Sequence, residues 1–147
     1  ELKIPPAAVW FICALIMWVL ARLLPFGALP HLPIVAVVMA LIGIGAGIAG
    51  IWSFYKARTT INPLEPSQAT HFVSEGIYKL SRNPMYVGLV CCLVSWAIWL
   101  SYFVPWLGVV LFIAYMTRFQ IIPEERVLRQ KFGDEYQNYC LKVRRWL

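Results

Sequence analysis

Four apolar runs, over residues 6–24, 33–55, 84–101 and 104–122, divide this chain, and its polar residues gather between and after them. Each run is near the roughly 20 residues that carry an α-helix across a hydrocarbon core. The last two meet at Ser101, Tyr102 and Phe103, which predicts a tight helical hairpin. The first is longer than the apolar segment of a signal peptide and lacks a small-residue cleavage site, so it reads as a true span. The pattern predicts an all-α, polytopic membrane protein with four transmembrane helices, a loop over 56–83 and a tail over 123–147.

Inside the second run, Gly43 to Gly50 spell GIGAGIAG, a formal GxGxxG. A dinucleotide site needs a strand before that motif and an acidic residue after it. Here the small residues recur every four positions inside a membrane helix, the spacing that lets helix backbones approach in lipid. The tail has a different period: Val127, Leu128, Phe132, Tyr136, Tyr139 and Val143 recur at near-helical spacing among basic residues. It predicts an amphipathic helix lying along the membrane surface, started by Pro123 and broken near 132–134 at Gly133.

Composition agrees with a lipid solvent: of 147 residues, 61% are hydrophobic and 14% charged, and mean hydropathy is +0.68. A soluble helical bundle is the minor alternative, and the length fits one domain. Charge orients the chain, because basic loops stay on the cytoplasmic side. Lys3, then Lys56, Arg58, Lys79 and Arg82, then six basic residues from Arg126 to Arg145 all fall on one side; the opposite side has only Arg22. Both termini are therefore expected in the cytoplasm, with the chain integral to a bacterial inner membrane. The net charge of +6 reads as topology signal and contact with anionic membrane lipids. Nothing interleaves it with aromatics as a nucleic-acid platform would. Cys13, Cys91 and Cys92 lie within spans and Cys140 in the tail, without metal-ligand spacing; lipidation of Cys140 is the alternative use.

The residues with chemistry cluster at the predicted cytoplasmic side. His71 stands alone in an irregular loop and reads as a solvated histidine. In KLSRNPMYVG, Asn83 is a candidate cap and Pro84 the first helical residue of span three. A helix start with Arg82 beside it also favours a carboxylate or phosphate, and Tyr78 and Tyr86 can pack on a ring or a cation. After span four, TRFQIIPEERVL places Arg118, Gln120, Glu124 and Glu125 at the membrane exit, where an arginine usually faces a partner or cavity.

Gly76, Tyr78, SRNPMYVG, the hydrophobic hairpin and PEERVLRQKFGDEYQNYCLKV together resemble the isoprenylcysteine carboxyl methyltransferase family, which takes in relatives of phospholipid N-methyltransferases; the resemblance spans about 59–143. It implies an integral membrane enzyme that uses S-adenosylmethionine, with cofactor contacts at Thr70, His71, Phe72 and Val73, at Tyr78, at Asn83, Pro84, Met85 and Tyr86, and at Glu124. Physically, Arg82 and the start of span three suit the methionine carboxylate, and Glu124 its ammonium or a ribose hydroxyl. The chain departs from the eukaryotic prenylcysteine enzymes at Asn83, where they have histidine. It departs again at Gln120, where they have a substrate-contacting arginine that a neutral amide cannot replace as a carboxylate clamp.

The expected function is methyl transfer to a lipophilic or membrane-partitioning substrate at the cytoplasmic face. Arg118 and Gln120 are the substrate residues, and Tyr86, Arg118 and Glu125 stand at the reacting atoms. Glu125 would serve an amine acceptor that must lose a proton, Arg118 a carboxylate or thiolate. The alternatives are a small four-span transporter or lipid-binding membrane protein, and a membrane reductase of sterol type with a nicotinamide cofactor.

Overall fold

Proline marks the start of almost every helix in this chain, because its missing N–H falls among donors that have no intrahelical partner. The computed structural model describes residues 4–57 and 72–147. Helix α1 covers Pro6–Leu23, α2 Pro33–Lys56 and α3 Pro84–Leu100, each with proline in its first turn. After Pro105 come α4, Trp106–Tyr115, a π-helical segment, Met116–Ile121, and α5, Ile122–Lys142. A short 3₁₀ turn, Gly76–Lys79, precedes α3. Both ends of α1, α2 and α3, and the start of α4, lie within one or two residues of those read from the apolar runs.

Two expectations change. The tail does not begin a separate helix at Pro123: α4, the π segment and α5 form one helical run from Trp106 to Lys142. An α-helical turn would drive the Pro123 ring against the carbonyl of Phe119 and leave that carbonyl without a donor; the wider π turn just before it opens the spacing. The run does break where the glycine predicted it, at Gly133, whose φ of 51° and ψ of −127° suit glycine alone. Second, three helices, α1, α2 and the long run, are long and apolar enough to cross a membrane, whereas α3 is a shorter apolar helix of 17 residues. At 1.5 Å per residue it reaches about 25 Å, against a core of ~30 Å. The chain is a polytopic α-helical membrane protein, and the exposed apolar side chains of α1 and α2 face membrane lipid.

Two of the α2 glycines, Gly43 and Gly50, do the packing expected of them, whereas a Cβ at Gly47 would meet nothing within 4 Å. Gly43 and Gly88 meet so closely that a Cβ on either would stand 2.6 Å from the other's carbonyl oxygen, and Gly50 backs onto Met85. Ser95 Oγ donates to the Ala36 carbonyl at 2.6 Å and fixes the same pair of helices. Gly45, by contrast, faces open space. Gly43→Val is therefore expected to lower stability by about 1–3 kcal/mol through overpacking, whereas Gly45→Ala leaves it unchanged or raises it by up to about 1 kcal/mol. Thermal unfolding in detergent separates the two.

Indole N–H groups join α1 to α3: Trp10 Nε1 donates to the Leu89 carbonyl at 3.0 Å and Trp96 Nε1 to the Ala14 carbonyl at 3.1 Å. Met17 of α1 packs against Gly108 of α4. Met17, Leu93, Phe112, Met116 and Ile121 are fully buried in the core that results. At one end of the bundle, Ser101 in the left-handed region (φ 59°) closes α3. Leu29 N–H bonds to the Ser101 carbonyl and Phe103 N–H to that of Gly27, which pins the 24–32 loop to the hairpin. The start of α3, the π segment, α5 and residues 143–147 meet at the other, polar end.

Candidate functional site

The polar end is built around the first turn of α3. Tyr86, the third residue of α3, directs its phenol at α5, where its O–H donates to Glu124 Oε1 at 3.0 Å, with Oε2 at 3.2 Å. Gln120, in the π segment and one turn before Glu124, donates Nε2–H to the same Oε1 at 3.2 Å. Tyr86 and Gln120 are buried and Glu124 is half-buried. One carboxylate thus receives a phenol and an amide, and the two oxygens between them keep further acceptor capacity.

Beside it is a second, ionic cluster. Glu125 is buried; Arg145 Nε and Nη2 donate to its two oxygens at 3.0 and 2.8 Å, and Arg82 Nη1 lies 3.2 Å from Oε1. Arg129 is more distant, at 4.0 Å, and largely exposed. Both oxygens of Glu125 are thereby engaged by guanidinium groups, and two close arginines on one carboxylate leave the cluster positive. Those hydrogen bonds hold the Arg145 guanidinium above its ordinary value. Arg82 also donates to Cys140 Sγ at 2.7 Å. Its Nε–H is buried and meets no acceptor among the described residues.

Asn83 does not cap α3 with its side chain. Its backbone N–H goes to Ser81 Oγ at 3.0 Å, and its side-chain amide donates to the Arg145 carbonyl at 2.9 Å. Ser81 Oγ donates to the same carbonyl at 3.4 Å, and Arg82 N–H bonds to the Arg144 carbonyl at 3.0 Å. The polar letters of SRN therefore hold residues 144–145 as a strap across the start of α3. Trp146 Nε1 extends the strap to Thr117 Oγ1 at 3.2 Å.

Aromatic rings close the other side. Phe72 packs with Phe132, Tyr136 and Tyr139 at centroid distances of 5.3, 5.6 and 5.6 Å. Tyr139 O–H donates to the Tyr78 carbonyl at 2.7 Å, and Tyr78 lies edge-on to Phe54. Burial pushes the Tyr78 phenol well above its ordinary range, so it stays protonated. Val73 is buried at the edge of a cavity of about 440 Å³ that Phe72, Trp52 and Ser53 also line.

The structure thus brings Tyr86, Gln120 and Glu124 into one contact and places Arg82 and Glu125 in the next. Pro84 is buried at the head of α3. Met85 turns away and fills the space above Gly50 of α2. Arg118 faces outward from the π segment with its guanidinium 5.5 Å from the Phe119 ring centre. Thr70 and His71 lie outside the described residues. Sequence reasoning missed Ser81, Tyr139, Arg145 and Trp146. Arg145 read as one more basic residue of an orienting tail and Tyr139 as part of an apolar stripe; nothing local to either marks a partner about sixty residues away.

Two comparisons bear on this arrangement. A 63-residue stretch, 43% of this chain, is 51% identical to the whole of an uncharacterized protein from Haemophilus influenzae. Residues 32–135 match the phospholipid methyltransferase family. That match runs from the start of α2 past the π segment and takes in Tyr86, Gln120, Glu124 and Glu125. With most of its length covered, the chain belongs to the phospholipid methyltransferase family, and is a membrane methyltransferase dependent on S-adenosylmethionine.

Proposed function

We propose that this protein methylates a lipophilic acceptor at the cytoplasmic face of a bacterial inner membrane, and that the polar end of the bundle is where cofactor and acceptor meet. The contact of Tyr86 and Gln120 with Glu124 carries the reading, because it joins α3 to α5 inside the matched region. The donor set suits S-adenosylmethionine. The Nε–H of Arg82, without an acceptor among the described residues, and the positive excess around Glu125 favour its carboxylate. The spare acceptor capacity of Glu124 favours its ammonium or a ribose hydroxyl, and Phe72, Tyr78 and Tyr139 offer faces to the adenosine. When bound, the cofactor would supply an electrophilic methyl group on a sulfonium, whose neutral thioether is the leaving group for in-line attack by the acceptor.

The protein's own part is alignment and exclusion of water. Tyr86 lies at the reacting atoms. Gln120 and Arg118 serve the acceptor, with Arg118 on the outward side where a lipophilic molecule arrives from the bilayer. Glu125, with both oxygens engaged by arginines, acts as a positioning residue that holds Arg82 and the 144–145 strap in place. The distribution of basic residues supports four crossings with both termini in the cytoplasm, α3 being the third.

The test is S-adenosylmethionine binding by the detergent-solubilised protein, with transfer of a radiolabelled methyl group into a whole-lipid extract. Saturable binding and a labelled lipid are expected, and the labelled product identifies the acceptor. A transporter or lipid-binding protein would show neither.

A further inference from the structure

Arg22 is left over from everything above. It sits at the hairpin end, across the bundle from the polar corner, and the segments that build that end, residues 18–34 and 96–110, contain no aspartate or glutamate. Its guanidinium lies 5.7 Å from the Trp18 ring centre and meets no acceptor among the described residues. It lines a cavity of about 450 Å³ whose other walls include Trp18, Trp96, Trp99 and Tyr102.

The walls are fixed before any ligand arrives. Trp96 is tied to the Ala14 carbonyl, and Trp99 stands edge-on to His31 at 5.5 Å. His31 Nδ1 is 3.0 Å from Ser101 Oγ, and the 24–32 loop is bonded to the hairpin on both sides of its isolated bridge. A guanidinium lying on an indole keeps its edge donors available, and that edge matches the oxygens of a phosphate. Leu23, Leu24 and Phe26 are exposed and flank the lining residues Arg22 and Pro25 along the chain, so a ligand with apolar chains is favoured over a soluble anion. Arg22 is at the end of a helix of membrane length, the depth at which headgroups lie.

We propose that this cavity binds the phosphate of an anionic phospholipid in the leaflet reached by the hairpin, with Arg22 on the phosphate oxygens and Trp18, Trp99 and Tyr102 along the glycerol and upper chains. The site is independent of methyl transfer, so neither reading depends on the other.

The experiment is tryptophan fluorescence of the full chain in neutral detergent, titrated with dibrominated phosphatidylglycerol or dibrominated phosphatidylcholine. Wild type is expected to reach half-maximal quenching at a phosphatidylglycerol fraction about fivefold below that for phosphatidylcholine, the size of one basic contact at an anionic surface. Arg22→Gln, at an exposed position, is expected to lose most of that preference while unfolding at the wild-type temperature; Arg22→Lys keeps part of it. Equal quenching by both lipids in wild type, or an undiminished preference in Arg22→Gln, overturns the proposal. Displacement of the brominated lipid by millimolar inorganic phosphate overturns it in favour of a soluble anion.

Discussion

Glu124→Ala is expected to weaken S-adenosylmethionine binding roughly 10- to 100-fold, the value of one or two hydrogen bonds to a charged group. The loss should appear in calorimetry as a higher dissociation constant. Tyr86 and Gln120 are buried and lose a shared acceptor, so stability should fall as well, by about 1–3 kcal/mol. Glu124→Gln keeps one acceptor oxygen and removes the charge, so it should fall between the two. Wild-type affinity in both variants would exclude Glu124 from the cofactor site and return the corner to a purely structural role.

Glu125→Gln is expected to act on the fold rather than on affinity alone. It leaves Arg82, whose side chain is 11% exposed, without its counter-charge. Breaking one side of a buried ion pair costs about 3–5 kcal/mol. It also releases Arg145, which carries the carbonyl that Asn83 and Ser81 hold. Arg129→Gln removes a partner at 4.0 Å that is half exposed, and the expected change is below about 1 kcal/mol. A thermal midpoint in Glu125→Gln as high as that of Arg129→Gln would show that the buried cluster contributes nothing net. The double variant Glu125→Leu with Arg82→Met should recover part of the loss, since the buried Arg82 charge goes with its partner and the Arg145 guanidinium, 34% exposed, is left to solvent.

The apolar runs and their prolines were legible because both are local. Hydrophobic length selects a membrane helix, and proline selects its first turn, whatever the rest of the chain does. The α2 glycines were legible for a related reason: small residues every four positions matter only if another backbone comes close, and Gly88 of α3 is that backbone. The meeting of α3 with α5 at Tyr86 and Glu124 follows from topology, since a hairpin returns the chain to the side it left.

What the sequence hid depends on partners far along the chain. Asn83 before Pro84 has every local mark of a capping residue, yet Ser81 and the Arg145 carbonyl compete for its polar groups and win. Pro123 has every mark of a helix start, and it does stand in the first turn of α5. The π segment ahead of it lets the preceding helix continue instead of ending. Arg82 was read as a free cation beside a helix start, because the carboxylate that meets it is 43 positions later, a number read only from the folded chain.

The strap also sets an order on biosynthesis. Asn83 and its acceptor carbonyl are 62 residues apart, and at translation rates of about 5–20 residues per second the ribosome needs roughly 3–12 s to bridge that gap. For that interval the polar groups of Ser81, Arg82 and Asn83 lack their late partners and must be hydrated, so the nascent corner has to keep contact with water until its late-made half emerges.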